Sequence, residues 1–77
     1  MPAYYVLDSP INRRIFQALE IRYERRGFGD LLLFYVKDEQ KLFQKLVKIL
    51  VEWRIASSES YAAVLANSFF INPAPSL

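Results

Sequence analysis

LLLFYV, residues 31–36, is the stretch on which the architecture turns. It is apolar throughout, so neither a period of two nor a period of 3.6 marks it, and at this length a buried strand and a buried helical turn look alike. In either form it must be covered. As one or two helical turns it would sit between longer helices. As a strand it could pair with the other short apolar stretch, AYYVL at 3–7, across a β-α-β crossover. Leucines and the absence of a β-branched run favour helix, and two parallel strands alone would make an inadequate sheet. The fold class read from the sequence is therefore mainly α, a small three- to four-helix domain over residues 1–71. It leaves room for a short β-hairpin or an N-terminal strand.

Immediately downstream, DEQKLFQKLVKILVEWR (38–54) has an unambiguous helical period. At 100° per residue Leu42, Phe43, Leu46, Val47, Ile49, Leu50 and Trp53 share an arc of roughly 160°, the width of a core-facing side. Asp38 is placed to cap the start, and Glu39 opposes the positive end of the helix dipole. The opposite side carries Lys41, Gln44, Lys45, Lys48 and Glu52, with Lys37 just upstream. A solvated face is the plain account of these lysines. The functional account is a recognition helix, because cations one turn apart can neutralise successive phosphates and Gln can read adenine in the major groove.

Upstream, Ser9 and Pro10 mark a helix start: the hydroxyl caps, and proline fits where no N–H is needed. The helix is expected to run to about Arg26, with Gly27 as its left-handed terminator. Its apolar face is Ile11, Ile15, Phe16, Ala18, Leu19 and Tyr23, but Arg22 and Arg26 fall on the same stripe, so the core face runs out near residue 21. Gly27-Phe28-Gly29 reads as a turn. Followed by Asp30 and by no Lys or Ser/Thr, it is no phosphate-binding loop. Farther along, Ser57–Ser60 offers capping residues before YAAVLANSFFI (61–71), where Tyr61, Leu65 and Phe69 recur at helical spacing. A third helix is expected there, with a hairpin or wing as the alternative. Asn72–Leu77, with two prolines, reads as an extended, mobile tail.

The chain of 77 residues forms one domain and has neither Cys nor His, which removes disulfides, thiolate chemistry, imidazole bases and the commonest zinc ligands. So small a core needs a high apolar fraction or a partner subunit. At 53% apolar and 16% aromatic, the composition exceeds that of an ordinary small domain, so part of the surplus is expected to meet another chain, as a homodimer or in a heterocomplex. No apolar run approaches the roughly 20 residues of a membrane span, and the N-terminus lacks the basic start of a signal peptide. A cytoplasmic protein is expected. The acidic residues are scattered in capping and ion-pairing positions, and no base stands ready to activate a serine. Hence no enzyme activity and no cofactor are expected.

LDSPINRRIFQALE (7–20) resembles the opening helix of ArsR-like winged-helix repressors, and DLLLFYVKDEQKLFQKLVKILVEWRIAS (30–57) resembles their second helix, turn and recognition helix. The resemblance covers about two thirds of the chain and its motifs are generic. It implies a dimeric helix-turn-helix transcription regulator. Lys37, Lys41, Gln44, Lys45 and Lys48 would face double-stranded DNA, and Arg13, Arg14 and Arg22 would be flanking clamps. The competing expectation is a non-catalytic adaptor or accessory subunit that binds a larger protein through apolar surface. The position of the aromatic residues separates them. If Phe28, Tyr35, Trp53, Phe69 and Phe70 all fit one core, the adaptor loses its motive.

Overall fold

The computed structural model describes residues 2–25 and 29–74, and in it the deciding stretch is a strand. The order is β1 (Ala3–Leu7), α1 (Pro10–Ala18), β2 (Tyr23–Arg25), β3 (Leu31–Tyr35), α2 (Glu39–Glu52) and α3 (Glu59–Asn67), with a 3₁₀ turn at Ser68–Phe70. This is an α+β fold, which corrects the mainly α, helix-turn-helix expectation: the place given to a second helix before the turn belongs to the sheet. The strand order is β1-β3-β2, and β3 is antiparallel to both neighbours. The outer strands thus run the same way with β3 inserted between them, a split β-α-β arrangement. The parallel pairing weighed from sequence does not form. Leucine's helical preference is outweighed because strand preference is set mainly by what a site packs against, and β3 has a strand on each side.

Each helix has a legible start. Ser9 Oγ accepts from the Asn12 N–H at 3.2 Å, with Pro10 in the first turn. An Asp38 carboxylate oxygen accepts from the Lys41 N–H at 3.1 Å, as expected. Ser58 Oγ accepts from the Tyr61 N–H at 3.2 Å, opening the expected third helix.

The end of α1 was not legible. The helix stops at Ala18 instead of continuing to Arg26, and Arg25 is part of β2. Its stop is a paired hydrogen-bond cap: Glu20 N–H donates to the Gln17 carbonyl at 3.2 Å and Ile21 N–H to the Phe16 carbonyl at 2.8 Å. Glycine normally fills the left-handed position of this cap, but here Glu20 holds it with φ 56°. The same device ends α2, where Arg54 has φ 58° and the N–H groups of Arg54 and Ile55 donate to Val51 and Leu50 at 3.0 Å each. Gly27, the terminator expected from sequence, lies outside the described residues.

All the helices pack on one face of the sheet. Their buried side chains, among them Ile15, Phe16, Leu46, Leu50 and Phe69, form a single cluster with Leu32, Phe34 and Val36 of the β3 segment. Phe34 is its centre and is fully buried, with ring centroids 5.0 Å from Phe16, 5.9 Å from Tyr4 and 6.3 Å from Phe69. Tyr4 of β1 also donates its hydroxyl to the Glu39 carboxylate, tying the sheet to the first turn of α2. The outer edge of β1 is covered by the segment read as a tail. Tyr5 N–H donates to the Asn72 carbonyl and Ala74 N–H to the Ala3 carbonyl, both at 2.8 Å, with Pro73 opposite Tyr4. Residues 75–77 lie outside the described residues.

Candidate functional site

Side chains alternate across a strand, so the residues between those of the core point to the other side of the sheet. The register makes that second face explicit. Ala3 is opposite Tyr35, Tyr5 opposite Leu33 and Leu7 opposite Leu31, and on the other flank Glu24 is opposite Leu33. Arg22 extends the first row, since its carbonyl accepts from the Tyr35 N–H at 3.2 Å. None of the face's apolar residues belongs to the core cluster, and among the described residues no helix contributes to this side. Leu7 is 60% exposed and Leu31 38%, whereas Leu33 in the middle is buried at 6% exposure. The result is an apolar strip two strands wide, formed by β1 and β3, with Arg22 and Glu24 along the β2 flank.

Its charged rim is arranged around one ring. The Arg22 guanidinium lies 5.5 Å from the centroid of Tyr35, and Tyr35 Oη donates to the Glu24 carboxylate at 2.9 Å. A cation over a ring face and a charge-assisted hydrogen bond from the same phenol hold Tyr35 in one orientation. Among the described residues, no group of three or more acidic side chains is placed to hold a metal ion.

The residues expected to contact DNA are not gathered into one surface. Lys41, Gln44, Lys45 and Lys48 are exposed along α2, and Lys48 lies 3.9 Å from Glu52. Lys37 is exposed just ahead of that helix. Arg13 is engaged elsewhere: its Nε and Nη2 donate to the two oxygens of Asp8 at 2.6 and 2.8 Å, and Arg25 lies 3.9 Å from the same carboxylate. This pairing holds the Asp8 carboxyl below the usual carboxylate range, chiefly through the hydrogen bond from Arg13. Arg14 sits 5.7 Å from the Trp53 ring, beside a groove of about 510 Å³ lined by Leu19, Glu20, Lys45, Lys48, Ile49 and Trp53. Arg22 is on the open face of the sheet, and among the described residues no helix-turn-helix joins it to the lysines.

The aromatic residues also divide. Phe69 is buried and Phe70 half-buried against the core, but Tyr35 lies on the open face and Trp53, expected in the core, is 36% exposed. Phe28 is outside the described residues. Sequence reasoning singled out none of Tyr5, Leu7, Leu31 and Leu33 as a site. The signal was present: AYYVL and LLLFY are apolar at odd and even positions alike, the pattern of strands covered on both faces.

Comparison with protein families, curated proteins and solved structures finds no match to this chain. Among the described residues, no helix is long and apolar enough to cross a membrane.

Proposed function

We propose that this chain is a non-catalytic assembly module that binds another protein chain through the open face of its sheet. The observation that carries this reading is the mismatch between pattern and cover. β1 and β3 are apolar on both sides, yet the helices cover only the side of Phe34. Exposed apolar platforms of this kind mark interaction surfaces more often than they mark idle surface. The preset orientation of Tyr35 adds to it, since an aromatic anchor held before contact loses little freedom on binding.

The test is a chemical footprint of Tyr5 and Tyr35. Their phenols should label readily in the isolated protein at nanomolar concentration and be protected several-fold in a concentrated extract of the native cell. Equal labelling in the two conditions would remove the reading.

Contact with duplex DNA through α2 is a second reading, supported by the exposure of Lys41, Lys45 and Lys48 on one helix. It makes a separate demand. Three phosphate contacts give a log-affinity against log-salt slope of about −2.7, and each lysine removed shallows it by about 0.9. Absence of duplex binding at low salt would dismiss it without touching the sheet face.

A further inference from the structure

We propose that the outer edge of β1 takes an extended, uncharged segment of another protein as a fourth strand, and that the strap of residues 72–74 holds this edge until that segment arrives. This goes beyond the open-face reading and concerns a different surface. Pairing with β3 fixes which groups face outward. Val36 N–H donates to the Pro2 carbonyl and Asp8 N–H to the Asp30 carbonyl, so the even residues of β1 bond inward. Ala3, Tyr5 and Leu7 therefore turn their backbone groups to the outer edge. An edge of this kind is usually guarded by lysine, proline or a bulge within the strand itself. β1, AYYVL, has no charge and no proline of its own, and its guard is the strap.

The strap fills only part of what a strand would fill. It takes the Ala3 carbonyl and the Tyr5 N–H, at 2.8 Å each, and the Leu7 carbonyl accepts from the Asn12 side chain at 2.8 Å. Pro73 stands opposite Tyr4, at a ladder position that needs no N–H, which is where an edge tolerates proline. Among the described residues the Ala3 N–H, the Tyr5 carbonyl and the Leu7 N–H have no backbone partner. Continuing the register would set Ile71 opposite Val6 and Phe70 opposite Leu7, but there the chain is already in its 3₁₀ turn. Leu7 is left 60% exposed. A continuous strand along Ala3–Leu7 makes more hydrogen bonds than the strap it replaces.

The chemistry of the edge describes the partner. Strand addition is recognised mainly through the main chain, with alternate side chains of the new strand settling on either side of the sheet. On one side they would lie beside Tyr5 and Leu7. On the other they would meet Tyr4 and Val6, only partly covered by the core, and Phe70, whose ring stands edge-on to Tyr4 at 5.2 Å. No charged side chain belongs to β1, and Asp8 just beyond it is already gripped by Arg13. The fitting segment is therefore uncharged, rich in β-branched or aromatic residues, free of proline, and antiparallel to β1 as the strap is.

The test is a titration of the whole chain with the capped peptide acetyl-Thr-Val-Thr-Val-Thr-amide, followed by backbone amide NMR. A dissociation constant below about 1 mM is expected, with the largest shifts at Ala3, Tyr5 and Leu7, and loss of binding when the peptide's amide nitrogens are methylated. Ala74→Pro removes the N–H that donates to Ala3 and should tighten binding at least threefold. Ala3→Cys combined with Ala74→Cys sets two thiols opposite each other in a chain that has no other Cys, with Cα atoms about 5.5 Å apart and within disulfide reach. Oxidation should then lock the strap and weaken binding at least tenfold, and reduction should restore it. Circular dichroism identifies a variant that fails to fold, and the other then decides. Absence of binding at about 1 mM by both the wild type and Ala74→Pro overturns the inference. So does a folded, oxidised double-Cys variant that binds as the wild type does. Shifts confined to Leu33, Tyr35 and Glu24 would put the peptide on the open face, so that the edge is the wrong surface and the assembly reading stands. If Ala74→Pro associates with itself in preference to the peptide, the occupant is a second copy and the partner named here is wrong.

Discussion

The two sides of β3 are built from nearly the same residues and meet opposite fates. Leu32 and Phe34 look toward α1, α2 and the 3₁₀ turn and are fully buried; Leu31, Leu33 and Tyr35 look away from every described helix. Composition therefore does not distinguish a face the chain covers from one it leaves open. What distinguishes them is whether the same chain supplies the second layer. Among the described residues the helices supply that layer on one side only, and the proposed assembly role is read from the other.

The largest effect expected from this contrast is on the core side. Phe34→Ala should cost about 3–5 kcal/mol in denaturant unfolding and by the same amount at every protein concentration. Leu33→Ala, one residue away on the side that no described helix covers, should cost less, about 2 kcal/mol. Equal losses from the two variants would mean that the open side of β3 is packed as tightly as the core side.

Helix α2 offers a second version of the contrast within one element. Leu46→Ala should lose about 2–5 kcal/mol, while Lys45→Ala, on the solvent side, should stay within about 0.5 kcal/mol. Equal losses would mean that α2 presents a different face to the sheet. Leu7→Lys is the corresponding surface change on the sheet, and in dilute solution its stability should likewise move by no more than about 0.5 kcal/mol. A larger loss would show that the open side contributes to the monomer fold.

A smaller change, and in the opposite direction, is expected at the helix ends. A non-glycine residue in the left-handed region costs roughly 1–2 kcal/mol, partly offset by the greater freedom that glycine loses on folding. Glu20→Gly should therefore raise stability by about 0.5–1 kcal/mol, read as a shift in denaturation midpoint. A loss would mean that the Glu20 side chain stabilises the groove beside Trp53 by more than its backbone costs.

The charged rims complete the comparison. On the core side Asp8 is gripped by Arg13, and its carboxyl titrates below its ordinary range in the folded state. A lowered folded value means that the contribution is present above the unfolded value, near 4, and is lost as pH falls through the folded one. Asp8→Asn should flatten the acid limb of the stability profile below about pH 4 and leave the neutral region flat. An acid limb unchanged in that variant would assign it to other carboxylates.

How much of this was open to sequence reading differs by element, for physical reasons. α2 was legible because seven apolar positions repeat at one period and Asp38 stands at the cap. α3 was legible from its serine start and its spacing of four. β3 was not, because a run apolar on all sides has no period to read. α1 was given too long a course because its stop depends on Glu20 adopting a backbone angle that sequence associates with glycine. Arg22 on the apolar stripe was the clue to that early end, and its carbonyl accepts from the Tyr35 N–H at the edge of the sheet. The same missing period hid the open face, since only the pairing of strands reveals which residues share a side.

The strap of residues 72–74 along β1 has a consequence for the chain as it is made. β1 leaves the ribosome ahead of the other described elements, yet the residues that seal its outer edge are translated about seventy positions later. At about 5–20 residues per second that interval is roughly 4–14 s. Throughout it the nascent chain displays a hydrogen-bonding edge that its own sequence cannot yet satisfy, beside neighbouring nascent chains in the same condition on one messenger. A chain cut back to residue 71 would keep that edge open permanently, and misassembly through β1, not unfolding of the helices, is the failure such a truncation should produce.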